Sequence, residues 1–347
     1  MKIIVDAMGG DNAPVEIVNG ALKGIEELGL EIILVGRGET ILKVLEEQGI
    51  GELPKGLEIA NAEDVVDMDD DPVTVVKERK DSSMVVGLTM LRDGMGDAFI
   101  SAGSTGALIS AATLIVKRIR GIRRAGLGIE FPTGNEEVNT LLLDCGANAE
   151  CTSEYLLQFA YMGAFYMQHQ HGIKQARVAL LNIGEEETKG LPLQRETYAL
   201  LKKADAEGRL KFIGNLEARD MLSGKADVVV ADGYSGNMVL KTAEGMAGYI
   251  INNVKEIFLK NGRTKLAALF VKSGLREMRK RMDYKEVGGT PLLGISKPVI
   301  KAHGSSDARA IFNALRQAKI TAENGIIDDI INNIEFMKLN RDGENNE

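Results

Sequence analysis

The sequence predicts an α/β protein: one compact α/β/α domain in which a mostly parallel sheet is covered by helices on both faces. Three observations predict it. Short apolar runs alternate along the chain with helix-length stretches of periodic hydrophobicity, the order expected when crossover helices join parallel strands. The runs are apolar throughout rather than at every second position, as in strands buried on both faces. Several are followed directly by Gly, Ser, Asn and Asp, residues suited to a tight turn and a helix cap.

Taken in order, the apolar runs at residues 3–5, 32–35, 98–100, 140–143, 177–181, 212–213, 228–230 and 299–300 read as strands. Amphipathic stretches at 15–28, 107–116, 154–167 and 193–202 read as helices. There is no internal repeat, low-complexity tract or Pro/Gly-rich linker, so residues 1–335 are expected to form a single domain and 336–347 a polar tail. Residues 255–285 stand apart. They hold ten Lys/Arg against three Asp/Glu, while the rest of the chain holds 32 basic and 47 acidic residues. A basic island on an acidic protein suggests an anionic partner at one place. Within it Leu266, Leu269 and Phe270 share one apolar face. Gly274 then interrupts the pattern, and Leu275, Met278 and Met282 recur at helical spacing. The island is therefore expected to be a protruding hairpin of two short amphipathic helices. Its apolar stripe is expected to be buried in a dimer, to anchor on anionic lipid, or to do both, since a dimer could present two hairpins side by side.

Composition narrows the function. With 44% hydrophobic and 27% charged residues the chain reads as an ordinary globular protein. The formal net charge of −8 argues against wholesale nucleic-acid binding. No apolar run approaches the roughly 18 residues of a membrane span, and Asp6 interrupts the first short run, which argues against a signal peptide. The only cysteines, Cys145 and Cys151, cannot make a disulfide framework and suit a reducing cytoplasm. His169 and His171 close a predicted helix, where His commonly meets terminal carbonyls. With His303 they make no convincing zinc site.

Six polar segments lie at strand-to-helix junctions, where α/β sheets bind ligands. The first runs from Asp6 through Gly9, Gly10, Asp11 and Asn12 to Pro14; the glycines allow close backbone approach, and Asp11 or Asn12 can cap the helix. The second, residues 101–107, offers Ser104 and Thr105 in a small-residue loop that can wrap an anion. The third carries Asp144, Cys145 and Asn148, with Cys145 read as a small buried thiol rather than a nucleophile. The fourth, residues 182–190, places Lys189 after three acids, where it can meet a phosphate as a point charge. The fifth holds Asp232, Ser235, Gly236 and Asn237; Ser235 is a candidate cap, and the Asn237 amide can donate to an oxyanion. The last contains His303 and Ser305. The dinucleotide fingerprint, the P-loop and the G-x-S-x-G elbow are all missing from the sequence. Many anion donors without a protein nucleophile suit a reaction whose nucleophile is itself an anion, such as phosphate.

At these loops the sequence resembles the acyl-ACP:phosphate acyltransferase (PlsX) family. The resemblance runs from Lys2 to about Ala322. It rests on DAMGGDNAP, SAGSTGAL, LLDCGAN, GNLEARD, DGYSGNMVLKTAEG and KPVIKAHGSSDARA, in that order. It implies a Rossmann-like three-layer fold related to phosphotransacetylases and isopropylmalate-type dehydrogenases, and a homodimer associated peripherally with the inner face of the cell membrane. It implies transfer of a fatty acyl group from acyl carrier protein to inorganic phosphate. The acyl-phosphate then passes to a membrane acyltransferase acting on glycerol 3-phosphate, and no metal or organic cofactor is needed. The family's catalytic lysine and asparagine fall on Lys189 and Asn237. The acidic carrier protein is expected to dock on Arg263, Lys265, Arg276, Arg279, Lys280 and Arg281. Two rivals are an isopropylmalate-type oxidoreductase, which would need nicotinamide and metal sites, and a non-enzymatic membrane scaffold that recruits the carrier protein.

Overall fold

The computed structural model describes residues 1–134, 139–281 and 288–339, the backbone alone at 277–281. Eleven strands form one sheet among these residues. Strands β1 (Lys2–Asp6), β2 (Glu31–Gly36), β3 (Leu57–Asn61), β4 (Ala98–Ser101) and β11 (Val299–Ala302) make a parallel set. Strands β6 (Thr140–Leu143), β7 (Arg177–Asn182), β8 (Lys211–Glu217) and β9 (Val228–Val230) make a second parallel set. Between them lie β5 (Gly126–Phe131) and β10 (Gly289–Leu293), giving the order β3-β2-β1-β4-β11-β10-β5-β6-β9-β7-β8. The pairs β10–β11, β10–β5 and β5–β6 are all antiparallel. Three reversals leave the two parallel sets running in opposite directions. The C-terminal ends of β1, β4 and β11 therefore open at one edge, and those of β6, β7 and β9 at the other.

Helices cover both faces, as the sequence predicts. On the first set, α1 (Val15–Leu28) and α10 (Ala308–Glu323) enclose a core around Ile3, Ile32, Ile300 and Leu315. These two helices approach closely because Gly20 and Gly24 share one face of α1; a Cβ at Gly20 would stand 2.5 Å from Ile311. The opposite core lies under α4 (Ser83–Arg92) and α5 (Thr105–Ala111), which continues as a π-helical turn, Ala112–Val116. Helices α2 (Gly38–Glu47) and α3 (Val75–Glu78) complete this half. On the second set, α6 (Ser153–His171) and α7 (Pro192–Ala206) cover one core, joined by α11 (Ile326–Asn332). The start of α8 (Gly233–Leu259) covers another, through Leu240.

Three expectations are corrected. The basic island is not a hairpin in itself: α9 (Gly262–Arg281) runs straight through Gly274 and pairs with α8. One glycine costs a helix interior only about 1 kcal/mol. The turn instead lies at Asn261, whose side chain accepts from Thr264 N at 3.0 Å while Thr264 Oγ1 accepts from Asn261 N at 3.0 Å, a reciprocal cap that starts α9. Second, the chain is still packed beyond residue 335: Met337 is fully buried, and Phe336 lies 4.2 Å below the Arg209 guanidinium. Third, His169 and His171 meet carboxylates rather than terminal carbonyls, at 2.7 Å from Asp329 and 3.1 Å from Glu130. Met282 and residues 340–347 lie outside the described residues. Among the described residues no helix is long and apolar enough to cross a membrane.

Candidate active site

The six junction loops divide by strand direction, three to each edge. At the first edge the loops after β1, β4 and β11 are stitched together. Asp6 is fully buried and accepts from Ser83 Oγ and Ser101 Oγ, each at 2.6 Å, and from the backbone N–H groups of Met8 and Gly9. Burial pushes its carboxyl pKa up, against these hydrogen bonds. Its place is as the hub of the loop, with every polar contact internal. Gly9 is pressed against Gly103 N, where a Cβ would come within 2.8 Å, and Gly10 takes φ 103° beside Gly304 O. Asp11 N donates to Gly304 O at 2.8 Å, and Asn12 Nδ2 donates to Ser305 O and Ser306 O. Neither Asp11 nor Asn12 caps α1, whose N-cap is Pro14 with no side-chain bond. Their polar groups are drawn across to the loop after β11 instead.

At the second edge Asp144 plays the part of Asp6. It is buried and accepts from Leu127 N, Ala147 N, Asn148 N and Asn148 Nδ2. Burial raises its pKa, opposed by those bonds. Asn148 spends its other amide proton on Ala125 O at 2.8 Å, so its amide is used in holding the loop. The cap of α8 is Asp232 rather than Ser235. Its carboxylate accepts from Ser235 N at 2.8 Å and from Ser235 Oγ at 2.9 Å. Gly236 leaves no room for a side chain, because a Cβ there would overlap Asp144 O. The α8 start is thereby laid directly on the loop after β6. Burial pushes the Cys145 thiol well above its ordinary pKa, and the Cys151 thiol up to about 12. Neither offers a thiolate nucleophile near neutral pH.

Between the edges, on the α8 side of β5 and β10, lies a cavity of about 290 Å³. Asn237, Leu240, Lys241 and Glu244 line it from α8. Their spacing of i, i+3, i+4 and i+7 is one helix face, spanning about 10 Å. Leu127, Ile129 and Cys145 make an apolar wall, Gly146 faces Asn237, and Thr105, Lys301 and His303 come from the first edge. One cavity thus draws on both edges, because α8 starts at one and runs toward the other. Of the residues singled out in sequence, it brings together Asn237, Thr105 and His303. Ser305 sits behind His303, donating through its backbone N–H to Nδ1 at 3.1 Å. Burial lowers the His303 pKa, opposed by Glu244 and reinforced by Lys301 and Lys241. Ser104 is buried at the start of α5 without capping it. Lys189 does not line the cavity. It is exposed in the loop between β7 and α7, at the Asn237 edge, with no carboxylate partner among the described residues. Asn237 is partly buried, and its amide has no hydrogen-bond partner among the described residues.

Sequence reasoning missed Lys301, Lys241 and Glu244. A signal for Lys301 was present: a lysine inside the otherwise apolar strand VIKA. Outside the cavity, Arg263, Lys265 and Arg276 are exposed on α9, while the side chains of Arg279, Lys280 and Arg281 lie outside those described. Leu266, Leu269 and Phe270 are exposed too, Phe270 by 82%. They sit along the body of α9, not at the tip of the hairpin.

Residues 1–329 match the family described as Fatty acid synthesis protein. The chain belongs to that family. It is 49% identical over 331 residues to a phosphate acyltransferase of Desulfitobacterium hafniense, covering 95% of this chain and 96% of that one. It is 46% identical over 338 residues to a phosphate acyltransferase of Thermoanaerobacter pseudethanolicus, covering 97% and 98%. By sequence kinship, then, this chain is an acyltransferase. Among solved structures it resembles a phosphotransacetylase from Streptococcus pyogenes, with a TM-score of 0.62 at 20% identity over 94% of each chain. At that identity the likeness is one of fold.

Proposed function

We propose that the protein transfers a fatty acyl group from the thioester of acyl carrier protein to inorganic phosphate, releasing acyl-phosphate and free carrier protein. The observation that carries this reading is the Asn237 amide, unpartnered at the wall of a half-apolar cavity and held by a helix start laid on the loop after β6. A preorganised donor of this kind stabilises charge that develops only in the transition state. Phosphate oxygen attacks the thioester carbonyl and a C–O bond forms. The tetrahedral oxyanion accepts from Asn237 Nδ2. Collapse then breaks the C–S bond, and the thiolate leaves with the carrier protein and takes its proton from solvent. No protein nucleophile is called for, in keeping with a buried and a partly buried thiol, both of raised pKa. Lys189, exposed at the same edge as Asn237, supplies positive charge for the phosphate.

The same reading extends to partners. The product feeds a membrane acyltransferase that esterifies glycerol 3-phosphate. The cationic face of α9 receives the acidic carrier protein. The exposed apolar residues of α8 and α9, among them Tyr249, Ile257, Leu269 and Phe270, serve a homodimer or an anionic bilayer. The deciding assay incubates the protein with acyl carrier protein thioester and phosphate and traps acyl-phosphate with hydroxylamine. Hydroxamate that requires both phosphate and protein is the expected result. Thioester loss that does not depend on phosphate would overturn the reading.

A further inference from the structure

We propose that the ammonium group of Lys301 is a second cation of the acceptor site, binding inorganic phosphate from inside the cavity. The proposal rests on the acyl-transfer reading above and deepens it by naming a group that holds the acceptor. Strand β11 alternates: Ile300 and Ala302 enter the core beneath α1 and α10, and Lys301 points to the other face, where the cavity lies. In register Lys301 sits opposite Ser101 of β4. Its Nζ donates to Ala302 O and lies 3.5 Å from Ala102 O. Both acceptors are neutral carbonyls, and Lys301 has no ion-pair partner among the described residues.

The surrounding charges do not supply one: Glu130, which lines the same cavity from β5, is held by Tyr166 at 2.7 Å and by His171 at 3.1 Å. From the end of β1, where the loop begins, Asp6 acts on Lys301 through space, but its oxygens already accept four hydrogen bonds. Asp11, in the same loop, faces Gly304. From α8, Lys241 adds positive charge and is itself paired with Glu244 at 2.8 Å. His303, two residues along the chain in the same cavity, has its pKa lowered by burial. A lysine is thus held in a partly desolvated slot with no counter-ion among the described residues. Desolvation lowers its pKa to about 8, against the pull of Asp6 and Asp11. An uncompensated buried charge is costly, and such perturbed groups gather where a ligand supplies what is missing. An incoming oxyanion restores the ammonium and accepts its hydrogen bonds.

The alternative is structural: Lys301 merely clasps the loop at Ala102 to β11. The two roles separate by proton linkage. Anion binding draws the lysine into its charged form, so near pH 8, where about half of the amines are neutral, binding takes up protons. Well below that pH the lysine contributes no uptake, and affinity falls as pH rises through about 8. Calorimetry in buffers of differing ionisation heat reads this with sulfate, an anion that does not titrate there, and with inorganic phosphate in parallel. The wild-type enzyme is expected to show uptake with both near pH 8. Lys301→Met is expected to lose that uptake and to raise the KM for phosphate about 10- to 100-fold, the range of one charge-assisted hydrogen bond. Lys301→Arg should keep most of the affinity and show no uptake. Wild-type phosphate KM in Lys301→Met, or no uptake by the wild-type protein near pH 8, overturns the proposal. Should Lys301→Met fail to fold, the wild-type and Lys301→Arg calorimetry still decides. Binding is read without turnover, so failure to form hydroxamate counts against the acyl-transfer reading and not against the lysine.

Discussion

Replacing Asn237 by alanine separates a transition-state donor from a substrate-binding group. The structure sets the size of each consequence. The amide makes no hydrogen bond among the described residues, so its removal leaves no buried group unpaired. Alanine is the better helix former by roughly 0.5 kcal/mol, and Asn237 lies in the second turn of α8. The main packing loss is the contact with Gly146, where a Cβ added to the glycine would meet the Asn237 side chain at 3.5–3.6 Å. Stability should therefore change by less than about 1 kcal/mol. Catalysis should not escape so lightly: one oxyanion donor contributes about 3–4 kcal/mol, or 10²- to 10³-fold in kcat. The assay follows carrier-protein thiol release at saturating acyl donor over a range of phosphate, beside thermal unfolding of both proteins. We expect kcat to fall by that factor with an unchanged KM for phosphate and an unchanged melting temperature. A kcat within threefold of wild type would refute the oxyanion role. A loss confined to phosphate KM would make Asn237 a ground-state binder instead.

Other outcomes follow from the same geometry. Lys189→Ala, at an exposed position without an ion-pair partner among the described residues, should leave the melting temperature unchanged and lower kcat/KM for phosphate by about tenfold or more; wild-type kinetics would remove Lys189 from the site. Reversing Arg263, Lys265 and Arg276 to Glu should raise the KM for acyl carrier protein and flatten its salt dependence, and a wild-type KM that ignores ionic strength would count against docking on α9. Leu269→Glu combined with Phe270→Glu should abolish sedimentation with anionic vesicles while turnover in solution survives. Sedimentation like that of the wild type would exclude this stretch of α9 as the anchor.

The fold was legible wherever burial on both faces leaves an unbroken apolar run, as in β1, β2, β4, β6, β7 and β9 and in the Val299–Ile300 start of β11. At the sheet edge β8 shows only its Phe212–Ile213 pair, because its first four residues alternate exposed and partly covered. Strand β3, at the other sheet edge and mostly exposed or partly covered, was not read from the sequence, and neither were β5 and β10. Their sequences, GLGIEF and GTPLL, carry the residues least favoured in strands. The glycines stand there because neighbours fill the space: a Cβ at Gly126 would come 2.8 Å from Leu143, and one at Gly289 would come 2.5 Å from Ile300. Local propensity cannot register a neighbour contributed by a distant strand.

The loss of those two strands is also what hid the arrangement of the site. Strand-to-helix junctions announce themselves by composition, and all six were visible. Composition does not report strand direction. Read without β5 and β10, six loops suggest one mouth; the antiparallel pairs around those strands turn half of them to the opposite edge. What rejoins the halves is α8, whose start is fixed to the second edge by Asp232 and Gly236 and whose next turns carry Lys241 and Glu244 toward Lys301 and His303. The motif containing Asn237 is thus informative for a reason that no single loop reveals. Its small residues let the start of α8 press onto the loop after β6, so that one face of its first turns meets groups from both edges. A bulky residue at Gly236 should accordingly disturb Asn237 and the Lys301 end of the cavity together, although neither residue has changed.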